Sequence, residues 1–239
     1  MLKVLYEDNH IIAVVKPAGI LTQGDKSGKI SLMDLVKEYL KEKYKKQGNV
    51  FLGLVHRLDK PVSGIVLFGK TSKGASRLSE QFRNHTIEKI YHAIVVGELK
   101  EKKGELKETI NKIAFFAKGF TGKTDEELLE QIKKATKTRT AELSWEVVKV
   151  WKPFDAAQGK SVYTLLKIMP KTGRFHQIRI QMANMGHPIL GDVKYSQQRP
   201  LPDKSIGLCA THISFMTATG EKQVNLEIPL PFTFPQAKP

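Results

Sequence analysis

Short apolar runs separated by polar turns dominate the pattern of the chain. The runs at 2–6 and 11–15 flank a polar tetrapeptide, which predicts a β-hairpin. The run at 65–68 lies between two glycines, and its length and flanks favour a buried strand over a helix. Further strands are predicted at 87–97, 106–113, 141–150 and 161–169.

Helical spacing of apolar residues appears in four other segments. Ser31 and Asp34 form a capping-box pattern at the start of a helix that Gly48 is expected to end. Segments 72–84 and 124–135 also place apolar residues on one helical face. A fourth buried stripe is predicted from Phe175, Ile178, Met182 and Met185. The pattern contains no repeat, low-complexity segment or linker, so it predicts one α+β domain over residues 1–239.

The charge of the chain is far from neutral. The 239 residues carry a formal net charge of +15, while the hydrophobic content of 41% is ordinary for a globular protein. The excess predicts a polyanionic partner, because neutralising phosphates releases counterions and drives binding. A merely basic surface and a membrane surface are the alternatives, but no apolar stretch approaches the ~18 residues of a span. We expect the Lys-rich stretches at 41–46 and 133–139 to contact phosphate.

Cysteine and histidine usage excludes several kinds of site. Cys209 is the only cysteine, which excludes a disulfide framework and a multi-cysteine zinc site, and we expect it to be a small buried residue. His56, His176 and His212 are not spaced like a metal motif, so no metal is expected. Acidic residues stand near the amino terminus where a signal peptide would have its apolar core, which favours a cytoplasmic location.

A polar cluster with the sequence His-Arg-Leu-Asp at 56–59 precedes the predicted strand at 65–68. A turn with proline, serine and glycine connects the two, so Asp59 is predicted on a loop at the edge of a strand. A rigid strand that holds a loop is a common way to present a reactive side chain. An isolated aspartate in a turn is more often a capping or turn residue, with Arg57 as its surface partner.

The string His-Arg-Leu-Asp, followed by Ser63, Gly64 and four apolar residues, resembles the catalytic motif of the RluA-type pseudouridine synthases. The resemblance implies that Asp59 is the catalytic residue. Val62 stands where the family usually has threonine, which removes a hydroxyl from the turn but leaves the carboxylate. Residues 16–19 are similar to the Lys-Pro-x-Gly loop near the start of the same family.

A second signature of this family, Gly-Arg-x-His-Gln-Ile-Arg followed by Gly-His-Pro-Ile-x-Gly-Asp, is similar to residues 173–179 and 186–192. Phe175 replaces the more usual threonine. The resemblance implies a salt bridge between Arg179 and Asp59. Such a guanidinium is expected to keep the carboxylate ionised and lower its pKa, and it orients rather than acts as a base. From the residues alone, Arg179 could equally form a surface ion pair.

Other segments follow the order of the family. Lys89 and Tyr91 match a Lys-x-Tyr in which the tyrosine packs beside the target base, although a strand tyrosine is by default a core residue. Leu208, in a segment at 206–215 that resembles a family strand, matches a residue that lines the base pocket. Residues 226–231 resemble the closing strand of the family. The remaining candidates for substrate contact are Arg57, His56, Arg174 and His176.

The resemblance covers nearly all of the chain and implies isomerisation of uridine to pseudouridine in ribosomal or transfer RNA, without a metal or other cofactor. It implies a pseudouridine-synthase-type domain built on a large, mostly antiparallel mixed β-sheet flanked by helices. No segment remains for the small amino-terminal S4 domain that many members carry, and a monomer is the default in the family. The target uridine must leave its stack to reach a loop carboxylate. Whether Asp59 attacks the base or abstracts a sugar proton stays open.

Two other functions are open at this point. A non-catalytic RNA-binding or ribosome-assembly protein would use the same fold and basic surface, and replacing Asp59 would leave its properties intact. A hydrolase that uses Asp59 would need a second carboxylate as an acid partner, as in glycosidases. The matched stretches supply arginine and tyrosine instead.

Overall fold

The computed structural model describes residues 2–231 except 27, 111–138, 153–161 and 197. Within this part of the chain there are three helices: α1 Leu32–Lys43, α2 Ser72–Arg83 and α3 Gln177–Asn184. The same part contains the strands β1 Lys3–Glu7, β2 Ile11–Lys16, β3 Gly53–Leu54, β4 Ser63–Gly69, β5 Glu88–Val96, β6 Lys103–Ile110, β7 Arg139–Trp151, β8 Tyr163–Pro170, β9 Leu208–Met216 and β10 Gln223–Glu227.

The strands form one sheet with the order β1-β2-β4-β9-β5-β8-β7-β6, in which β3 also pairs with β4 and β10 also pairs with β9. Among the described strands every pairing is antiparallel except that of β4 with β9. The predicted α+β fold with a large, mostly antiparallel mixed sheet is confirmed. The parallel pair brings the beginning of β4 beside the beginning of β9, where Ser63 is opposite Cys209.

The predicted strands are present, with bounds shifted by a few residues. The predicted hairpin is the antiparallel pair of β1 and β2. The predicted helix at 124–135, most of the Lys-rich stretch at 133–139 and residues 111–113 of the strand predicted at 106–113 lie outside the described residues.

The apolar run of β4 is continuous because this strand is buried on both faces of the sheet. Val66 and Phe68 belong to the core on the side of α1, which contributes Leu32, Val36 and Leu40. Ile65 and Leu67 belong to the core on the opposite side, together with Leu78 of α2. A strand covered on both faces reads as a run rather than as an alternation. This central, rigid strand follows directly on the loop that carries Asp59.

Gly64 allows β4 and β9 to approach closely. Its φ of 132° belongs to a region that residues with a side chain rarely adopt, and a Cβ at this position would clash with the backbone of Ala210. The close approach fixes the loop before β4 against the start of β9. Leu208, the first residue of β9, thereby comes near Asp59.

The predicted capping box at α1 is present. Ser31 Oγ accepts a hydrogen bond from the backbone nitrogen of Asp34 at 3.4 Å, and Asp34 Oδ2 accepts one from the backbone nitrogen of Ser31 at 2.9 Å. The helix ends at Lys43, before Gly48. Cys209 is fully buried, as expected.

The buried stripe predicted from Phe175 to Met185 is wrong at its beginning. Helix α3 starts only at Gln177, because His176 has a left-handed backbone with φ of 52°. That conformation breaks the helical spacing and turns Phe175 outward, where 46% of it is exposed. Ile178 and Met182 are buried as predicted.

Candidate active site

The loop between β3 and β4 is held in place by backbone contacts on both sides of Asp59. Thr22 Oγ1 donates to the carbonyl of Leu58 at 2.9 Å and accepts from its backbone nitrogen at 3.1 Å. The backbone nitrogen of Val62 donates to the carbonyl of Asp59 at 3.0 Å, which closes the turn. Leu58 and Val62 point into the core. The carboxylate of Asp59 is therefore presented by a rigid turn, as the sequence predicted.

A buried lysine ties this loop to residues 16–19. The Nζ of Lys16 donates to the carbonyls of Pro17 at 3.0 Å, Ile20 at 2.8 Å and Lys60 at 3.1 Å. Burial lowers the pKa of Lys16 to about 8, although the nearby Asp59 carboxylate opposes the change. The Lys-Pro-x-Gly segment therefore does more than close β2, since it also anchors the residue next to Asp59.

The structure places Arg179 between two carboxylates. Its Nη1 donates to Asp59 Oδ2 at 3.1 Å, so the two residues joined by the resemblance are in contact. Its Nε and Nη2 donate to Oδ2 and Oδ1 of Asp192 at 2.7 and 2.8 Å. The Asp192 side chain is 1% exposed and that of Asp59 is 24% exposed. Asp192 thus anchors the guanidinium in the interior, and Asp59 faces the solvent side.

Asp192 was not predicted as a site residue. It is the last residue of the second signature, and only this position in the motif indicated a role for it. Its partner Arg179 is also buried, so a paired and hydrogen-bonded carboxylate is what this location requires.

The expected lowering of the pKa of Asp59 is wrong in its net direction. Burial raises the pKa of Asp59 above its ordinary value, and the Arg179 guanidinium offsets only part of that rise. The negative charge of Asp192 raises the pKa of Asp59 further, while the more distant Lys16 lowers it. The sequence argument considered the arginine but not the desolvation, which dominates here.

All eight predicted site residues line one cleft of about 610 Å³. They are Asp59, Arg179, Tyr91, Arg57, Leu208, His56, Arg174 and His176. The sequence did not single out Phe82, Arg83, His85 or Thr172 in this wall. Arg83 and His85 flank the end of α2, and only their basic character hinted at a role.

Tyr91 and Leu208 form neighbouring parts of the wall on β5 and β9. Tyr91 is opposite Ala210 in the sheet, and Leu208 is 3% exposed. Burial and the negative charge of Asp59 both raise the pKa of Tyr91, so its phenol stays protonated at neutral pH. A neutral ring beside a carboxylate can pack against a planar base without adding charge.

His56 lines the cleft, but its ring is already engaged by the fold. Its Nε2 accepts a hydrogen bond from the backbone nitrogen of Leu67 at 2.9 Å, and its ring lies 4.6 Å from that of Phe82. Burial, together with the positive charge of Lys89, lowers the pKa of His56 to about 3. The residue is a neutral part of the wall, with Nε2 unavailable as a donor to substrate.

His176 contacts the catalytic candidates directly. Its Nε2 lies 3.4 Å from Asp59 Oδ2, and its Nδ1 forms a hydrogen bond of 2.6 Å with the hydroxyl of Tyr195. The Arg179 guanidinium lies 5.0 Å from the centre of the Tyr195 ring. Tyr195 was not predicted, because its role depends on packing against a residue that is distant in sequence. His176 is therefore part of the network that holds Asp59.

The rest of the cleft is cationic. Arg57 is exposed beside Asp59, and Arg174 reaches across to donate its Nε to the carbonyl of Thr140 at 3.0 Å. Lys89 also lines the cleft, and burial lowers its pKa. Asp59 is the only acidic residue among the described residues that line the cleft. This wall supplies no second carboxylate of the kind that the hydrolase alternative requires.

Neither a metal site nor a membrane span emerges from the described residues. They contain no group of three or more histidine, cysteine, aspartate or glutamate side chains placed to hold a metal ion. None of their helices is long and apolar enough to cross a membrane.

The cleft presents one partly exposed carboxylate, fixed by an arginine among cationic side chains, which suits a polyanionic substrate. Comparison with known proteins gives the family. Residues 10–184 match the family model described as RNA pseudouridylate synthase. The chain is 36% identical over 215 residues to tRNA pseudouridine synthase C of Haemophilus ducreyi, covering 85% of this chain and 79% of that protein. It is 33% identical over 231 residues to ribosomal large subunit pseudouridine synthase C of Rickettsia felis, covering 96% and 68%.

Solved structures agree on the fold. Human RNA pseudouridylate synthase domain containing 4 superposes with a TM-score of 0.72 at 20% identity, over 96% of this chain and 88% of that one. The chain belongs to the RNA pseudouridylate synthase family, as its motifs predicted. It is an RNA pseudouridine synthase, an isomerase, so the non-catalytic and hydrolase alternatives are set aside.

Proposed function

We propose that this enzyme converts specific uridines in ribosomal or transfer RNA to pseudouridine, with Asp59 as the catalytic carboxylate. The observation that carries the proposal is the contact of Asp59 with Arg179 at 3.1 Å in a cleft where no other acidic residue of the described wall is present. The two relatives compared above are named for transfer RNA and for the large ribosomal subunit, which supports both RNA classes as substrates.

The reaction rearranges one nucleoside without a net change in atoms. The C1′–N1 bond breaks, the uracil turns, a C5–C1′ bond forms, C5 loses its proton and N1 gains one. Asp59 acts either by attacking the substrate or by abstracting a sugar proton. Tyr91 lies beside the uracil and Leu208 packs against it, so both limit how the free base can turn. No oxidant, reductant or energy source is needed.

Arg179 orients the carboxylate rather than exchanging protons with substrate. Its two hydrogen bonds to buried Asp192 fix the guanidinium before substrate arrives, and Nη1 remains for Asp59. A charge that is already positioned needs no reorganisation during the reaction. The same arginine stays protonated throughout, since its pKa is far above neutral.

The cationic wall is suited to an RNA strand whose target uridine has left the stack. A base must leave the helix to reach a carboxylate at the bottom of a cleft, which favours loops and distorted stems as substrates. Arg57, exposed next to Asp59, is placed to hold the backbone or to occupy the vacated space. Arg83 and Lys89 add positive charge to the same wall.

We also propose that residues 1–239 act as a single catalytic domain, as a monomer, in the cytoplasm. The family match from residue 10 and the continuation of the sheet to β10 support one domain. Sedimentation of the purified protein in the presence and absence of RNA tests the monomer.

The experiment that tests Asp59 compares purified wild type with Asp59→Ala on bulk RNA that lacks modifications. Nucleosides are separated by chromatography, since pseudouridine has the mass of uridine, and sites are mapped by a chemical adduct that stops reverse transcription. We expect pseudouridine with wild type and none with Asp59→Ala. The exposed Asp203→Ala variant is the matched control and should retain full activity. Pseudouridine formation by Asp59→Ala at the wild-type rate would reject Asp59 as the catalyst.

A further inference from the structure

Phe175 is an exposed aromatic residue next to the site that the mechanism above does not use. It stands between Arg174 and His176, both of which line the cleft, at a position where the family signature usually has threonine. The residue is 46% exposed. Single exposed apolar residues are common on protein surfaces, so exposure alone assigns no role to Phe175.

The ring of Phe175 is held in a fixed orientation by the catalytic network. It stacks on the imidazole of His176, with centroids 3.7 Å apart and planes inclined by 14°. His176 is itself bonded to Tyr195 at 2.6 Å and lies 3.4 Å from Asp59. The phenyl ring is therefore one imidazole ring away from the catalytic carboxylate, and its orientation is set before RNA binds.

One cationic side chain lies near this ring, and another adjoins it in the sequence. The Nζ of Lys194 lies 5.9 Å from its centroid on an exposed side chain, and Arg174 precedes it in the chain. Aromatic rings interleaved with cations are the usual means of holding unpaired nucleotides, because each base offers a flat face and each phosphate a charge.

We propose that Phe175 stacks against the nucleobase next to the target uridine in the bound RNA. This inference rests on the proposed function. When the uridine turns out of the stack toward Asp59, its neighbour loses one stacking partner, and the phenyl ring replaces it. Phe175 is thus a positioning residue for the substrate strand, and the threonine usual in the family cannot supply this contact.

The test uses a short stem-loop RNA that copies a position mapped with the wild-type enzyme. Phe175→Leu removes the ring, Phe175→Tyr keeps it, and Phe51→Leu is the matched control at another exposed phenylalanine outside the cleft wall. A base–aromatic stack corresponds to about 5- to 100-fold in binding. We expect Phe175→Leu to raise KM about 10-fold with kcat within about twofold of wild type, in keeping with that range. Phe175→Tyr and Phe51→Leu should resemble wild type.

A second substrate separates stacking from support of His176. In it, the nucleotide on one side of the target lacks its base, and the two sides are tested in turn. When the missing base is the one that stacks on Phe175, the KM of wild type should rise as much as the KM of Phe175→Leu rises on the intact RNA. The KM of Phe175→Leu should not rise further on that RNA. Additive losses on both sides, or an equal fall in kcat on every RNA, would overturn the inference while the proposed function stood. A wild-type enzyme that forms no pseudouridine on any RNA would reject both.

Discussion

Asp192 and Asp59 share one arginine, and we predict that replacing Asp192 by asparagine mainly lowers stability, whereas replacing Asp59 by asparagine abolishes activity. In Asp192→Asn the amide keeps one acceptor for Arg179 but presents an NH2 group where the second carboxylate oxygen was. The side chain is 1% exposed, so water cannot repair the loss. In Asp59→Asn the guanidinium keeps both hydrogen bonds to Asp192.

The magnitudes follow from burial. Removing one partner of a buried ion pair lowers the free energy of unfolding by about 3–5 kcal/mol. Because Asp192→Asn retains one acceptor, we expect a loss of about 3 kcal/mol for this variant. For a chain of this size each kcal/mol lowers Tm by about 2–4 °C, so we expect a loss of roughly 6–12 °C. Asp59→Asn should change the free energy of unfolding by less than about 1 kcal/mol, as is common for active-site substitutions. Burial raises the pKa of Asp59, which means that the fold disfavours its ionised form.

Activity supplies a second, independent measurement on the same variants. Asp59→Asn should be inactive. Asp192→Asn should lose about 10- to 100-fold in kcat, because a displaced guanidinium no longer aims Asp59.

Thermal and urea unfolding of wild type, Asp192→Asn, Asp59→Asn and the exposed control Asp203→Asn check the difference in stability. Turnover of one RNA by the same four proteins checks the difference in kcat. An Asp192→Asn variant that unfolds with the wild-type midpoint would refute this assignment. A loss of stability in Asp59→Asn as large as that in Asp192→Asn would also contradict it.

Two further predictions concern charges outside the cleft. Burial raises the pKa of Glu7, but hydrogen bonds from Lys43, Lys70, Tyr44 and Tyr39 outweigh it and lower the pKa to about 2. Because folding lowers the pKa of Glu7 from 4.5, wild type should be more stable than Glu7→Gln above pH 4.5 and should lose this advantage as the pH falls to about 2. Urea unfolding at several pH values measures the difference in stability. A difference that does not change with pH would contradict this role of Glu7. Since Lys43 is bonded to Glu7 at 2.7 Å, the stretch at 41–46 is expected to contact phosphate through its other lysines. Reversing their charge should weaken binding to all RNAs. It should also reduce the slope of log binding constant against log salt concentration by about one unit per lost phosphate contact. An unchanged slope would exclude this stretch from the RNA interface.

The strands of this fold were predictable because their signal is local. The runs in β2 and β4 are apolar at nearly every position since both faces are covered, and glycines mark the ends of β4. Their order in the sheet was not readable from such patterns. The parallel contact of β4 with β9 joins residues far apart in sequence and depends on the space left by Gly64.

In the site too, contacts between residues distant in sequence were harder to predict than local structure. Asp59 and Arg179 are separated by 120 positions, and only the likeness of two motifs to one family placed them together. Asp192 ends the second signature but was not singled out, because it acts through Arg179. Tyr195 was missed because it acts through His176 and belongs to neither signature. Phe175 was assigned to the core because helical spacing takes no account of the left-handed turn at His176.

The sharing of Arg179 separates the positioning of the carboxylate from its reactivity. Were Asp59 the sole partner of the arginine, a tight bidentate pair would lower its pKa and occupy both of its oxygens. Here the bidentate pair belongs to buried Asp192, and Arg179 donates to Asp59 through Nη1 to Oδ2. Desolvation keeps the pKa of Asp59 above its ordinary value, which makes the ionised oxygen a better nucleophile or base than a fully paired one. The buried pair of Arg179 with Asp192 holds the guanidinium in place, and for this reason Asp192 should matter to stability more than Asp59.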